Sequence, residues 1–362
     1  MSSVFACGSD VKNRFSFFQE GEFCFSPDNG DLADPDNYSR YIQAIKNISA
    51  EQGFSPDIIA YDLHPGYFSS KIDNLFPGNS LKIAVQHHHA HIASVLCREK
   101  YDQSVIGISF DGTGYGLDGN LWGGEFLLVS PKQCERKAHF DYLGMPGGEK
   151  AILEPWRMAF SLAYSCLGEE VFKENFAFLK VRANGEYALL QKVIKQRLNM
   201  PLTSSAGRLF DAVSSLLDIT HIVNFEAEAA INLEQKAGLS DDQGCYDFEV
   251  EKELNMFKIG YKTLWHSLIA DIKAKVEVAI IARRFHNSLA KLIVVVSEKI
   301  KLETGVNTVV LSGGVFQNKL LYVKALKDLK AAGFKVLEAP KVPLNDLGIC
   351  IGQTYVALNK TV

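Results

Sequence analysis

SVIGISFDGTGYGLDGNLWGGEFLLV, residues 104–129, is the stretch of sequence on which the fold depends. Its first part, SVIGISFD (104–111), is a nearly continuous apolar run that ends in an aspartate, a pattern typical of a buried strand. A second apolar run occupies 121–129, and the turn residues Leu-Asp-Gly-Asn at 117–120 predict the tip of a hairpin. The stretch therefore predicts two paired strands with a glycine-rich segment after the first.

Outward from this hairpin, the chain alternates short apolar runs with segments of helical spacing. Strands are predicted at 4–10, 15–19, 21–26, 57–64, 81–85, 137–143, 307–311 and 334–339, and helices at 36–52, 87–99, 274–302, 315–332 and 346–358. The region 155–302 is predicted to be mostly helical. Two strand-rich blocks, each followed by helices, predict an α/β protein with two related lobes that divide near residues 103 and 104.

The composition excludes several classes of protein. The 362 residues are 47% hydrophobic and 22% charged, and the net charge of −4 offers no basic field for nucleic acid. Seven cysteines without a CxxC pair argue against a disulfide framework and against a cysteine zinc finger, so we expect a reducing, cytoplasmic setting. No signal peptide is evident, and apolar runs such as 292–296 are too short to span a membrane.

Four histidines stand in five positions within VQHHHAHIASVL (85–96), where a predicted strand leads into a predicted helix. His87 and His91 are four residues apart and share one helical face, which is the spacing that places two imidazoles on one metal ion. His88 and His89 point elsewhere on such a helix and are candidates to support the ligands or to contact substrate. The alternative is a polar helix start with hydrogen-bonded histidines, but four together favour metal binding.

The glycine-rich segment after Asp111 is the second candidate. Gly112 and Gly114, on either side of Thr113, would let backbone amides approach a phosphate closely. Asp111 could bind a metal ion or polarise a nucleophile. A simple glycine turn with a capping aspartate explains the same pattern.

A second glycine junction lies in VVLSGGVFQNKLL (309–321), where a predicted strand delivers Gly313 and Gly314 into a helix start. The missing side chains open space, and the helix dipole favours an anion there. Asn318 could then bind ribose or base hydroxyls. A tight packing junction between strand and helix is an equally good interpretation of this segment.

Two further aspartates carry alternatives of their own. In PLNDLGICIGQ (343–353), either Asn345 or Asp346 could cap the last helix. If that helix faced the histidine pair, Asp346 would complete a set of two imidazoles and two carboxylates, which suits iron or zinc without choosing between them. In TSSAGRLFDAVSSLL (203–217), Asp211 could accept hydrogen bonds from ribose or could be a solvated carboxylate.

In order and wording, these segments resemble the C-terminal carbamoyltransferase domain of the HypF family, which acts in the maturation of NiFe hydrogenases. The resemblance covers nearly the whole chain, and its specific parts are HHHAH (87–91), FDGTGYG (110–116), SGGVFQN (312–318) and NDLGICIGQ (345–353). It implies the two-lobed ATPase fold of actin, sugar kinases and Hsp70, with RNase H-like lobes. Lobe I would be 1–103 with the C-terminal helix 347–362, and lobe II would be 104–346 with the active-site hairpin and a helical insertion at about 155–302.

The resemblance also implies roles for individual residues. The metal ligands would be His87, His91, Asp111 and Asp346. The residues that contact the nucleotide or carbamoyl-adenylate would be Lys12, Asp111, Gly112, Thr113, Gly114, Asp211, Glu226, Gly313, Gly314 and Asn318. The expected cofactors are one divalent ion, iron or zinc, with magnesium a further candidate, and ATP, AMP or carbamoyl-adenylate as the nucleotide.

The implied reaction passes a carbamoyl group from carbamoyl-adenylate to the C-terminal cysteine thiol of a partner protein. Three alternatives are transfer to a small-molecule hydroxyl, a relative of the tRNA threonylcarbamoyl enzymes, and a non-catalytic partner-binding subunit. The lack of basic clusters counts against the tRNA enzyme.

The chain departs from the family pattern in two ways. Full-length members carry upstream domains, including one that makes carbamoyl-adenylate, so we expect either a fragment or a free-standing homologue that depends on such a domain elsewhere. The chain also has FEAEAA at 225–230 where the family has Phe-Glu-Gly-Gln-Ala-Ala. Ala227 thus replaces a glycine, and Glu228 adds a charge beside Glu226.

Overall fold

The computed structural model describes residues 2–72, 74–76, 78–173 and 186–360, and it contains two β-sheets. The first sheet consists of β1 (Val4–Ala6), β2 (Ser16–Gln19), β3 (Glu22–Phe25), β4 (Ile58–Asp62) and β5 (Leu81–Val85), in the order β3-β2-β1-β4-β5. Strands β1, β2 and β3 pair antiparallel, whereas β4 and β5 run parallel to β1.

The second sheet repeats this arrangement at its centre. It is built on β6 (Val105–Tyr115), β7 (Leu121–Val129), β8 (Cys134–Phe140), β13 (Thr308–Ser312) and β14 (Lys335–Leu337), in the order β8-β7-β6-β13-β14. Strands β6, β7 and β8 are antiparallel, and β13 and β14 run parallel to β6. The repeated order is that of an RNase H-like lobe and confirms the predicted two-lobed α/β fold. The division at residues 103 and 104 stays a prediction.

The remaining strands and the helices surround these sheets. Short strands β9 (Leu143–Gly144) and β10 (Leu202–Thr203) pair with each other, and β11 (Glu249–Glu253) and β12 (Met256–Gly260) extend the second sheet beyond β8. The helices are α1 (Pro35–Gln52), α2 (His87–Glu99), α3 (Lys150–Leu153), α4 (Pro155–Leu167), α5 (Glu186–Gln196), α6 (Ala206–Leu216), α7 (Glu228–Ala237), α8 (Lys262–Lys273), α9 (Val278–Thr304), α10 (Lys319–Ala331) and α11 (Ile349–Lys360). Short 3-10 helices cover Gly168–Lys173, Gly314–Gln317 and Asp346–Gly348.

Parts of two predicted elements cannot be compared with the structure. Residues 174–185 of the helical insertion and residues 361 and 362 of the last helix lie outside the described residues. Across the described ranges, no helix combines the length and the apolar character needed to cross a membrane.

The prediction that the first hairpin strand ends at Asp111 was wrong. Strand β6 continues to Tyr115, and its pairing with β7 shifts register between Phe110 and Gly114. Such a bulge lets a strand accommodate extra residues and change direction locally. Asp111 therefore lies inside a paired strand, at an irregularity, rather than on a loop after the strand.

The prediction of a mostly helical insertion missed one hairpin. Residues 249–260 form β11 and β12, and β12 pairs in parallel with β8. In β11 the sequence EVEKE carries charges where a strand usually shows apolar alternation, because this strand lies at the edge of the sheet and is largely exposed. In β12 only Phe257 and Ile259 alternate inward, which is too short a signal to distinguish a strand from a helix.

Helix α2 lies between the two sheets, and every residue from 87 to 96 is buried. Ala90 and Ala93 pack with apolar residues of β1, β4, β5 and α11 on the side of the first sheet. Ile92, Val95 and Leu96 pack with apolar residues of β6, β7 and β13 on the side of the second sheet. The start of α2 is therefore fixed by both sheets at once.

The approach of α11 to α2 depends on Gly352. A Cβ atom placed on this glycine would overlap the backbone carbonyl of Ala90, which cannot swing aside as a flexible side chain can. The two helices pack along this contact, and α11 follows directly from the turn that carries Asp346. The small residue thus sets the distance between the histidine-bearing helix and the aspartate.

We predict that Gly352→Ala lowers the free energy of unfolding by at least about 2 kcal/mol, because overpacking against backbone outweighs the roughly 1 kcal/mol that alanine gains in a helix. Urea denaturation measures this. Gly78→Ala is the matched control, since a Cβ at Gly78 meets nothing within 4 Å, and its stability should stay within about 0.5 kcal/mol of the original. Equal stability of both variants would contradict the proposed role of the contact.

Candidate functional site

The first turn of α2 presents two histidines on one face. Gln86 caps the helix, and its side-chain oxygen accepts the backbone N–H of His89 at 2.9 Å. The regular turn that follows places the rings of His87 and His91 with their centroids 4.9 Å apart. The spacing of the two residues in the sequence therefore produces the predicted pair.

Two carboxylates from distant segments meet this pair. His91 Nε2 lies 2.8 Å from Asp111 Oδ2 and 3.6 Å from Asp346 Oδ1, and His87 Nε2 lies 3.8 and 3.7 Å from the same two oxygens. One ligand atom from each of the four residues lies within 4.8 Å of all the others. We call His87, His91, Asp111 and Asp346 the four-residue cluster.

The possible ligand atoms of the cluster converge on one small region, where His91 Nε2 and Asp111 Oδ2 approach to 2.8 Å. His87 Nε2, His91 Nε2 and Asp111 Oδ2 are buried and make no hydrogen bond within the described part of the chain. Buried polar atoms nearly always have a partner, so several that converge indicate a site for a cation. Two imidazole nitrogens and two carboxylate oxygens fit iron or zinc.

Asp346 is free to face the cluster because its neighbour caps the turn. The side-chain oxygen of Asn345 accepts the backbone N–H of Leu347 at 3.3 Å, which leaves the Asp346 carboxylate available. Of the two capping candidates in the sequence, Asn345 takes the role.

A serine that the sequence interpretation left without a role fixes the backbone at Asp111. Ser205 Oγ lies 2.6 and 2.7 Å from the carbonyl oxygens of Asp111 and Gly112, and it also accepts the backbone N–H of Arg208 as the cap of α6. The Ser-Ser pair directly before the apolar helix could have indicated a capping residue in the sequence, since serines often cap helices. Its contact with β6 is tertiary and could not be read from the sequence.

A cavity of about 520 Å³ opens beside the cluster. It is lined by Asp111 and Asp346 and by these other residues with predicted roles: Lys12, Gly112, Thr113, Asp211, Glu226, Gly314 and Asn318. Gly114 and Gly313 do not line it. A side chain on Gly114 would overlap His88, and one on Gly313, where φ is +103°, would overlap the backbone of Phe110, so both glycines serve close packing.

Several predicted nucleotide contacts already have protein partners. Asn318 caps α10 through the backbone N–H of Leu321, and its amide group lies 2.9 Å from His286 Nε2. Asp211 Oδ2 lies 2.7 Å from Arg208 Nε, and both side chains are buried at the cavity wall. Burial raises the pKa of Asp211 above its ordinary value, although the guanidinium of Arg208 opposes the shift.

The other two predicted contacts pair with each other. Lys12 Nζ lies 2.8 Å from Glu226 Oε2, and the two side chains remain about 35% and 62% exposed. An exposed ion pair of this kind contributes little stability and is easily exchanged for another partner. The pair joins the β1–β2 connection to the segment before α7, across the cavity.

His88 and His89 lie in different surroundings. The Nδ1 atom of His88 is 3.0 Å from the side-chain nitrogen of Gln86, and its ring is tilted against Trp122 at 6.2 Å. The Nε2 atom of His89 is 3.4 Å from the Ser130 carbonyl oxygen, at the far end of β7. The structure therefore places His88 beside the cluster and turns His89 away from it.

Comparison with known proteins supplies the family. A family model described as "HypF Kae1-like domain" matches residues 1–98, and one described as "Carbamoyltransferase, Kae1-like Domain, second subdomain" matches residues 107–353. The chain belongs to the HypF family.

Individual relatives agree along the length of the chain. The carbamoyltransferase HypF of Synechocystis sp. is 33% identical over 97% of this chain and 46% of that protein. A carbamoyltransferase HypF homolog of Cupriavidus necator is 34% identical over 98% of this chain and 91% of that protein. A crystal structure of full-length HypF in the phosphate- and nucleotide-bound form has 35% identity and a TM-score of 0.92, over 99% of this chain and 55% of that chain.

The length of the chain differs from that of several family members. It spans about half of the Synechocystis HypF and most of the Cupriavidus necator homolog. Within the family pattern, Ala227 stands where a glycine is expected, and its φ of +61° is left-handed. This conformation costs an alanine roughly 1 kcal/mol or more, and a glycine would adopt it without that cost.

Asp62 supports the cluster and was missed by the sequence interpretation. Its Oδ2 atom accepts a hydrogen bond from His87 Nδ1 at 2.9 Å, and both side chains are almost fully buried. A carboxylate behind a metal-binding histidine fixes the ring and raises its basicity. The available signal was an aspartate at the end of a buried strand, since β4 pairs in parallel with β5 and so places Asp62 beside Val85.

The charges of the cluster depend on one another. Burial lowers the pKa of His87, but the carboxylates of Asp346, Asp111 and Asp62 outweigh it and raise that pKa well above its ordinary value. Burial also lowers the pKa of His91, and its contacts with Asp111 and Asp346 raise it overall. For Asp111, burial raises the pKa, but the two imidazoles hold it well below its usual range.

We predict that Asp62→Asn weakens binding of zinc to the cluster by about 10- to 100-fold, because the neutral amide orients and polarises His87 less effectively. Competition with a chromophoric chelator measures the affinity. Asp57→Asn, an exposed change just before β4, should bind zinc like the original protein. Equal affinity in the Asp62 variant would show that this carboxylate does not support the site.

Zinc binding should release protons at neutral pH. The raised pKa values of His87 and His91 favour the protonated imidazoles when no metal is bound, whereas a metal ion requires them neutral. The apparent affinity should therefore rise as pH increases from about 6 to about 8. Calorimetric titration in buffers of different ionisation enthalpy counts the protons. An affinity that does not change with pH, with no protons released, would contradict this account.

Proposed function

We propose that the chain transfers a carbamoyl group from carbamoyl-adenylate to a cysteine thiolate of an acceptor protein, as part of hydrogenase maturation. The observation that carries this proposal is the four-residue cluster at the wall of a cavity in a HypF-family chain. The volume of about 520 Å³ lies in the range of small-molecule and cofactor sites. The names of its carbamoyltransferase relatives support carbamoyl transfer, and the nucleotide-bound HypF structure supports a nucleotide ligand.

The four-residue cluster would hold one divalent ion, iron or zinc. When bound, this ion would supply Lewis acidity toward the carbamoyl or phosphate oxygens of the substrate. The protein contributes the fixed geometry, because α2, β6 and the turn before α11 each deliver ligands from regular structure. Asp62 would keep the His87 ring in the tautomer that presents Nε2 to the ion.

The rest of the cavity suits the nucleotide. Arg208 and Lys12 supply positive charge at its wall, and Lys12 would exchange Glu226 for a phosphate of the ligand. Asp211 and the freed Glu226 would accept hydrogen bonds from ribose hydroxyls. Gly112 and Gly314 leave room for a phosphate to approach the backbone at the two glycine junctions.

The reaction needs positioning more than a strong base. The thiol first loses its proton to solvent, and the thiolate sulfur then forms a bond to the carbamoyl carbon. The bond from that carbon to the phosphate oxygen breaks, and its electron pair leaves with AMP. The products are an S-carbamoyl cysteine and AMP. The donor carbamoyl-adenylate would come from an adenylate-forming domain or protein outside these 362 residues.

The expected acceptor is a protein that ends in cysteine, in the cytoplasm. No disulfide joins any two of the seven cysteines, all of which lie in the described ranges, and this supports a reducing compartment. Transfer to a small-molecule hydroxyl and transfer to tRNA remain alternatives for the test.

We predict that the zinc- or iron-loaded protein carbamoylates a peptide that ends in cysteine, and that Asp346→Asn reduces the rate at least about 100-fold. Mass spectrometry detects the added carbamoyl group, with carbamoyl-adenylate as the donor. Asp247→Asn is the control, because Asp247 is exposed and pairs with Lys291 away from the cavity.

Other acceptors in the same assay test whether transfer is specific for a cysteine thiol. The same peptide ending in serine, an aminoglycoside and a tRNA should all stay unmodified. Modification of any of these in place of the cysteine peptide would replace the proposed acceptor. No transfer to any acceptor, with full metal occupancy, would overturn the proposed function.

A further inference from the structure

Tyr67 lines the cavity together with Asp111 and Asp346, but neither the sequence interpretation nor the proposed mechanism gives it a role. It lies in DLHPGYFSS (62–70), the segment that begins with Asp62 at the end of β4. The segment thus runs from a residue that supports the cluster to a residue at the cavity wall.

The position of Tyr67 is fixed by its neighbours. Its ring stacks on His64 with centroids 4.3 Å apart and an angle of 26°, and His64 in turn meets the edge of Tyr115 at 5.4 Å. Asp10 accepts the backbone N–H groups of Phe68 and Ser69 at 2.7 and 2.8 Å. The His64 ring stacks on Tyr67, and the buried Asp10 carboxylate holds the backbone of the two residues that follow it. Together these contacts fix the position of the phenol.

Among the residues that the structure describes, Tyr67 makes hydrogen bonds only through its backbone, to His64 and Ser70, and its hydroxyl has no partner. A phenol at the wall of this cavity, held by its ring rather than by its hydroxyl, is free to donate a hydrogen bond to a ligand. Burial and the carboxylates of Asp62, Asp346, Asp10 and Asp111 raise its pKa well above the ordinary value, so it stays protonated. Among those carboxylates, Asp346 and Asp111 also belong to the four-residue cluster.

We propose that Tyr67 is a catalytic residue whose hydroxyl donates a hydrogen bond to the carbamoyl oxygen of the substrate. This inference rests on the proposed function. It names the hydrogen-bond donor for the negative charge that develops on the carbamoyl oxygen during transfer. As the thiolate sulfur bonds to the carbamoyl carbon, the π electrons of the carbonyl move onto its oxygen. When those electrons return, the bond to the phosphate oxygen breaks and AMP leaves. Tyr67 keeps its proton throughout and stabilises the transient oxyanion.

The test compares Tyr67→Phe with Tyr322→Phe in the metal-loaded protein. Phenylalanine keeps the ring that stacks on His64 and removes only the hydroxyl, so the metal content and the melting temperature should not change. Carbamoyl transfer by Tyr67→Phe should show kcat about 10- to 100-fold lower, with KM within about threefold. Tyr322 is on α10, outside the cavity lining, and its variant should keep the original kcat. A kcat within about twofold of the original in Tyr67→Phe would overturn the proposal.

A binding experiment separates this inference from the proposed function. The probe is the N-carbamoyl-sulfamoyl analogue of the adenylate, which keeps the carbamoyl carbonyl but cannot transfer it, and AMP is the matched ligand without that carbonyl. Calorimetry should show that Tyr67→Phe lowers the affinity for the analogue about tenfold and leaves the affinity for AMP unchanged. If no transfer occurs but this difference is present, only the proposed function fails. If Tyr67→Phe weakens the binding of both ligands equally, or of neither, the proposed role of Tyr67 is overturned. If neither ligand binds even to the original protein, both proposals are overturned.

Discussion

The packing of helix α2 between the two sheets is the constraint on which the rest of the structure depends. Both faces of this helix are apolar and buried, so neither sheet can shift without disturbing it. The histidines at the start of the helix are consequently held at a fixed position beside the cavity. Gly352 brings α11 close to Ala90 of the same helix, and the turn before α11 then delivers Asp346 to the histidine pair.

The candidate site consists of polar atoms that this packing forces together. The buried atoms of His87, His91 and Asp111 that make no hydrogen bond would be costly in a folded protein unless something bound between them and Asp346. Protonation of the imidazoles, which the neighbouring carboxylates favour by raising the pKa of His87 and of His91, reduces this cost in the absence of metal. Asp62 behind the pair and Ser205 below Asp111 keep the donors in place. The proposed metal-binding part of the site is thus held rigidly. The opposite part of the cavity is crossed by the ion pair of Lys12 and Glu226, which a ligand can replace.

The sequence predicted those features that depend on local spacing. The four-residue interval between His87 and His91 determines their shared face whatever surrounds the helix, and the Gly-rich junctions marked the strands that approach the cavity. The meeting of Asp111 and Asp346 with the histidines was predicted through the family resemblance, because no local pattern relates segments so distant in the chain.

The features that the sequence did not predict depend on tertiary contacts. Asp62 faces His87 because β4 and β5 are neighbours, and Lys12 meets Glu226 because the two lobes face each other. Strand β11 is an exposed edge whose charged residues carry no apolar alternation. The side chain of Asn318 caps a helix and contacts His286, a role that depends on tertiary packing, whereas its contact with ribose or base stays a prediction.

Anomalous X-ray diffraction from crystals of the zinc- or iron-loaded protein tests the central claim most directly. Data collected on both sides of the metal absorption edge locate the ion independently of any assay. The account predicts one strong peak about 2.0–2.2 Å from His87 Nε2, His91 Nε2 and oxygens of Asp111 and Asp346. A fully loaded crystal with no peak between these four side chains, or with its metal bound by other residues, would contradict it.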